Sequence, residues 1–265
     1  MGMNKIDQQL QVIKKEKRIA LMTHVVVGYP SVQDTVSIVS AMGESGVDFV
    51  ELQIPFSDPL ADGPTIMKAC EESLANGTKV ADAFRVMQEL SSQVMIPLLF
   101  MAYYNTVFTY GVEKFCRDAK AAGVSGLIVP DMSIDEEQHE HFYALAKKYG
   151  LHVIHVISPV STPERLKKNA AMARGFVYCT ARQGITGAKR DLDPTLRNYL
   201  KKVKTYFSIP VAVGFGISKK EHIEALQNEA DIAVIGSALI DVLRNTEKSS
   251  RGAAVKQFLN DLRIE

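Results

Sequence analysis

Eight short apolar runs, each followed by a longer stretch, constrain this chain more than any other feature. They occupy residues 19–27, 49–54, 97–102, 126–129, 152–157, 176–179, 210–213 and 232–235. They are rich in Val, Ile and Leu and lack strict alternation, which suits strands buried on both faces of a parallel sheet. Between them, helical spacing places Val36, Val39 and Met42 on one face of 34–45. It does the same with Val80, Phe84 and Met87 in 80–90, and with Phe142, Leu145 and Ala146 in 135–149. Segments 163–172, 195–206, 219–228 and 238–243 complete the series. Ser31, Ser133, Thr162 and Ser218 are candidate N-caps, because a side-chain oxygen there satisfies free backbone N–H groups. Gly46, Gly123 and Gly150 stand where helices should end. Strand then helix, eight times over, predicts an α/β fold of the (β/α)8 TIM barrel type. A doubly wound open sheet is the alternative, but its first turn is usually glycine-rich, whereas the first run here ends VVVGYP. The opening segment MGMNKIDQQLQVIKKEKR reads as an extra N-terminal amphipathic helix. Segment 251–265 reads as a last helix with Val255, Phe258, Leu259 and Leu262 on one face. No linker divides the chain, so a single domain over residues 1–265 is expected.

Composition removes several function classes. The formal net charge is +1 and the lysines are dispersed, which argues against a nucleic-acid or polyanion binder. Cys70, Cys116 and Cys179 are far apart and odd in number, so they offer neither metal spacing nor a disulfide framework. No run approaches the ~20 apolar residues of a membrane span, and the N-terminus has no apolar stretch of signal-peptide length. These features predict a cytoplasmic protein with no membrane partner.

In such barrels chemistry gathers at the C-terminal ends of the strands. Four features fall there. The stretch ELQIPFSDPLADGPT, 51–65, puts Glu51 within the second apolar run and Asp58 and Asp62 in a proline-bearing loop beyond it. A buried carboxylate is costly unless it is paired or used. Glu51 is therefore either a satisfied structural acid or an acid/base group. Asp58 and Asp62 each have a turn-forming role available to them, and only the combination with Glu51 points Asp62 toward chemistry. VAVGFGIS, 211–218, and AVIGSALI, 233–240, place Gly214, Gly216, Gly236 and Ser237 after the last two runs. That is where barrels commonly hold a phosphate on backbone N–H groups and a helix N-terminus. Finally, RQGITGAKRDLDP, 182–194, is long for its position and reads as a lid, with Gly187 a further N–H for the phosphate.

Together, IPFSDPLADGPT behind a Glu-bearing run, YCTARQGITGA, GFGIS and IGSAL closely resemble the tryptophan synthase alpha subunit family, over about residues 19–240. The resemblance implies a TIM barrel that cleaves indole-3-glycerol phosphate to indole and glyceraldehyde 3-phosphate by a retro-aldol reaction. It implies no metal or cofactor in this chain. The partner it implies is a beta subunit carrying pyridoxal phosphate, in an alpha-beta-beta-alpha heterotetramer. By motif match it makes Glu51 the general acid/base and Asp62 the carboxylate at the indole nitrogen. Tyr178 matches an active-site tyrosine, Thr186 the lid threonine that meets the aspartate loop, and Phe215 a neighbour of the substrate. Gly187, Gly216, Gly236 and Ser237 match the phosphate cradle.

Three places depart from the family's pattern. Gln53 stands where glycine is usual, His24 and Val26 precede GYP where other residues are common, and Ser133 stands where proline is frequent. Gln53 shares strand parity with Glu51, so it would hydrogen-bond and tune Glu51 or narrow the indole pocket. His24 is either a pocket residue or a satisfied core histidine. The alternatives to the main reading are an alpha-like partner that regulates a beta subunit with its own chemistry weakened, and a standalone indole-3-glycerol-phosphate lyase. Other sugar-phosphate barrels typically use a strand-end lysine, and the eight runs contain none.

Overall fold

The computed structural model describes residues 2–181 and 192–264. The chain opens with α1 (Lys5–Glu16), β1 (Ala20–Val26), α2 (Val32–Glu44), β2 (Phe49–Gln53), α3 (Pro64–Ala75) and α4 (Val80–Gln93). Next come β3 (Leu98–Met101), α5 (Tyr104–Tyr110), α6 (Val112–Ala121) and β4 (Gly126–Ile128). Then follow α7 (Glu137–Glu140), α8 (Phe142–Lys148), β5 (His152–Ile157), α9 (Pro163–Met172) and β6 (Val177–Thr180). The chain finishes with α10 (Pro194–Tyr206), β7 (Val211–Gly214), α11 (Lys220–Leu226), β8 (Ile232–Ile235), α12 (Ser237–Arg244) and α13 (Arg251–Asp261). Each strand pairs in parallel with the next and β8 pairs with β1, which closes a (β/α)8 TIM barrel. All eight apolar runs are strands, each boundary within one residue of the sequence reading.

Strand parity sorts the core into two parts. Side chains facing outward, such as Val25, Val50, Leu52, Leu98 and Phe100, pack under the helices. Those facing inward, among them Met22, Phe49, Leu99, Ile128, Ile154, Phe176 and Ile232, fill the barrel. Phe49, Glu51 and Gln53 have the same parity, so β2 presents both of its polar side chains to the interior.

The extra helix α1 closes the barrel floor. Its Ile6 is fully buried against the inner layer, and Ile13 is 5% exposed. Asn4 caps α1 by accepting from the Ile6 N–H at 2.9 Å, while its own amide donates to the Ser125 and Gly150 carbonyls at 2.8 and 3.0 Å. One residue therefore both starts the helix and pins it to the β4 and β5 ends.

The structure corrects the reading at three points. Segment 135–149 is not one helix. It is a 3-10 turn, Ile134–Glu136, then α7 and α8, broken at His141 with φ 53°. The Glu137 carboxylate accepts from the Tyr143 and Ala144 N–H groups, both at 2.8 Å, so it caps α8 and makes the break stable. Ser218 is not an N-cap. The helix begins at Lys220, and the Ser218 N–H donates to His222 Nδ1 at 3.2 Å. Helices α3, α5 and α6 fall outside the segments that helical spacing picks out; the last two meet at Gly111, whose φ of 94° interrupts the periodicity. Ser31, Ser133 and Thr162 do accept from backbone N–H groups at helix starts. Among the described residues, no helix is long and apolar enough to cross a membrane.

Candidate active site at the barrel mouth

The upper interior is polar where the floor is not. Along β2, Glu51 comes one inward position above Phe49, and the parallel register sets it directly opposite His24 of β1. Both are buried, Glu51 at 3% and His24 at 5% exposure. His24 Nδ1 and Glu51 Oε1 lie 3.1 Å apart. Glu51 Oε2 and His24 Nε2 are buried with no hydrogen-bond partner among the described residues. Burial opposes a charge on His24. The Glu51 carboxylate and its hydrogen bond outweigh that, Asp62 and Gln53 add to them, and the imidazole stays protonated above its ordinary range.

The loop after β2 folds back over this pair. Gln53 Nε2 donates to Asp62 Oδ2 at 2.6 Å, and the Tyr103 hydroxyl donates to the same oxygen at 3.1 Å. The Ala61 N–H in turn donates to the Tyr103 oxygen at 2.9 Å. Gln53 thus bonds Asp62 rather than Glu51, and the loop is tied to the barrel interior by two side chains. Burial raises the Asp62 carboxyl above the usual Asp range, against the pull of His24, Gln53 and Tyr103. Phe56 stacks on Tyr103 with ring centroids 5.3 Å apart, adding an aromatic wall.

Tyr178 enters from β6 with inward parity and is packed against the inner layer. Burial, with Glu51 and Asp62 nearby, pushes its hydroxyl well above the ordinary tyrosine range, so it stays protonated. Its approach explains Gly214: a Cβ there would sit 2.9 Å from the Tyr178 hydroxyl oxygen, too close for any larger residue. Beyond it, Phe215 is half-buried with its ring centroid 6.2 Å from that of His222. Gly216 has φ 85°, a conformation side chains disfavour, which turns the chain away after β7. After β8, Gly236 and Ser237 open α12, so free backbone N–H groups end at the mouth. Gly236 also backs onto His24, since a Cβ built on it would lie 3.7 Å from His24 Cβ.

Glu51, Asp62, Tyr178, Phe215, Gly216, Gly236 and Ser237 therefore all belong to strand ends or βα loops at one end of the barrel. Thr186 and Gly187 lie outside the described residues. Sequence reasoning missed Tyr103, although it continues the inward parity of Leu99 and Met101 past β3, which is the signal that would have found it. Among the described residues no group of three His, Cys, Asp or Glu side chains is placed to hold a metal ion.

Comparison with known proteins places this geometry in context. A family model described as tryptophan synthase alpha chain matches residues 10–263. The tryptophan synthase alpha chain of Desulfotalea psychrophila is 49% identical over 235 residues, covering 89% of this chain and 92% of the relative. That of Thermoanaerobacter sp. is 39% identical over 262 residues, covering 98% and 99%. Among solved structures, tryptophan synthase subunit alpha from Legionella pneumophila superposes with a TM-score of 0.89 at 29% identity, covering 98% of this chain and 97% of that one. A tryptophan synthase complex from Pyrococcus furiosus gives 0.83 at 32% identity, covering 92% and 97%.

Proposed function

This chain belongs to the tryptophan synthase alpha chain family, the lyase that cleaves indole-3-glycerol phosphate to indole and glyceraldehyde 3-phosphate, and we propose that Glu51 and Asp62 carry that reaction here. The observation that supports the assignment most is Glu51 itself. It is a buried carboxylate on the interior face of the barrel, and one of its oxygens has no partner among the described residues. Burying such a group costs stability unless something else meets it, and a substrate does.

The chemistry needs an acid and a base. The bond from indole C3 to the glycerol chain breaks once C3 is protonated, because the ring then accepts the bonding electrons as an indoleninium. Glu51 delivers that proton. It then takes the proton of the glycerol hydroxyl as the aldehyde forms, so one carboxyl serves both steps. Positive charge builds on the indole nitrogen meanwhile. Asp62 accepts the ring N–H and favours the transition state over the ground state. Gln53 and Tyr103 hold Asp62 over the mouth. Tyr178, Phe215 and Phe56 supply a pocket wall for the planar ring. Gly216 together with Gly236 and Ser237 at the start of α12 would hold the phosphate through backbone N–H groups. Thr186 and Gly187 of the lid would complete the cover.

The chain needs no cofactor of its own; in this family pyridoxal phosphate belongs to the beta subunit. A beta subunit is also the partner this reading gives to the mouth, in an alpha-beta-beta-alpha assembly. Large apolar side chains are exposed on the loops after β2 and β5, Leu60 at 93% and Val160 at 87%, and on α5 after β3, Phe108 at 59%. We place the protein in the cytoplasm and treat residues 1–265 as one domain. The test is Glu51→Gln, assayed for indole release with a beta subunit present. Loss of indole with glycerol 3-phosphate still bound supports the assignment, and normal turnover refutes it.

A further inference from the structure

One carboxyl serves as both acid and base in the proposed reaction, yet that carboxyl has a partner. We propose that His24 is a positioning residue for Glu51: by donating Nδ1–H to Oε1 it fixes the carboxyl and leaves Oε2 as the oxygen that exchanges protons with the substrate. The inference rests on the proposed lyase reaction and on three features of the site.

The first is register. His24 and Glu51 are direct partners across β1 and β2, and both face inward, so the contact is built by the strands rather than by a mobile side chain. The second is the distribution of partners. Oε1 is taken, at 3.1 Å, while Oε2 has no partner among the described residues. A carboxyl with two equivalent oxygens could present either to the ring. One with Oε1 bonded presents the other, which removes an orientation from the ground state. The third is confinement of His24. A side chain at Gly236 would meet its Cβ and Cγ at 3.7 and 3.9 Å, so the imidazole has a proposed phosphate loop on one side and Glu51 on the other. A bound phosphate ligand would therefore pack close to the residue that aims the acid.

The proton count is simple. In the base form Glu51 is a carboxylate and His24 carries a proton on Nδ1. The glycerol hydroxyl gives its proton to Oε2, and the Nδ1–H···Oε1 bond persists. In the acid form the Oε2 proton goes to indole C3, again with Nδ1–H···Oε1 intact. His24 itself ends each turnover unchanged. The titratable groups of the described residues around this pair are Asp62 from the loop after β2, Tyr103 from the end of β3 and Tyr178 from β6; β8 and the start of α12 present uncharged Val234, Gly236 and Ser237.

Two variants separate geometry from charge. His24→Asn offers an amide N–H to Oε1 but cannot titrate; His24→Phe offers nothing. With the full chain and a beta subunit, His24→Phe should lower kcat at least tenfold with KM changed less than threefold. His24→Asn should recover most of that kcat, because its amide N–H takes the place of Nδ1–H on Oε1. Glycerol 3-phosphate should bind both as it binds the parent. Independently of turnover, the imidazole NMR titration midpoint of His24 should fall in Glu51→Gln. An unmoved midpoint, or a His24→Phe variant that keeps the parent's kcat, overturns the pairing and leaves the lyase reading standing. A parent that releases no indole while the midpoint moves overturns the lyase reading and supports the pairing alone.

Discussion

Two buried carboxylates, Asp48 just before β2 and Glu51 at its centre, sit three residues apart, exposed by 1% and 3%. Their surroundings differ completely. Asp48, at the floor, accepts from Gln9 Nε2 at 2.8 Å, from both Arg18 terminal nitrogens at 2.6 Å and from the Leu21 N–H at 2.9 Å. Every lone-pair direction has a use, and the acid ties α1 to the sheet. Glu51, at the mouth, has one side-chain partner and an oxygen with none among the described residues. The same residue class, equally buried, is structural in one place and, on the proposed mechanism, chemical in the other. What separates them is whether the fold itself satisfies the charge.

Replacing each acid should break the comparison in opposite ways. Glu51→Gln should reduce indole release by about 10²–10⁴-fold, the range for a lost acid/base, with a smaller loss of stability than Asp48→Ala because only one partner is left unpaired. Asp62→Asn should cost about 10²–10³-fold in kcat, because it removes a charge aimed at the developing cation. Asp48→Ala should do the reverse: about 1–3 kcal/mol of stability lost in urea titration, with kcat unaffected. A large activity loss in Asp48→Ala would dissolve the distinction between the two ends.

The eight strands were legible because strands buried on both faces show as unbroken apolar runs. The floor helix was legible from its spacing. His141 was not, because the break there depends on Glu137 reaching back to cap α8, a contact that spacing does not reveal. The position of Glu51 within a buried strand could be read from its apolar setting, but its bond to His24 could not. That pairing joins residues far apart in sequence and depends on the register of β1 against β2. Gln53 shows the same limit. Its parity was right, yet its partner is Asp62, because the loop returns over the mouth.

Smaller effects sharpen the picture. Gln53→Ala should release one of the two ties on Asp62 and lower kcat/KM about tenfold, the size of one buried hydrogen bond to a charged group; steady-state kinetics would detect it, with thermal stability little changed. The least effect concerns pH. The folded chain raises the His24 value, so its stabilising contribution is full below the unfolded value of about 6.5. It is lost as pH rises through the folded value. The melting-temperature advantage of the parent over His24→Asn should therefore shrink from pH 6 to pH 9, and a constant advantage would count against an ion pair.

The decisive measurement is a crystal structure with a non-cleavable indole-alkyl phosphate bound. Glu51 should lie about 3–3.5 Å from ring C3, the separation of a near-attack pair, with Asp62 on the ring N–H and the phosphate at Gly216 and Gly236. A ring seated out of reach of Glu51, or a phosphate held elsewhere, would contradict the account.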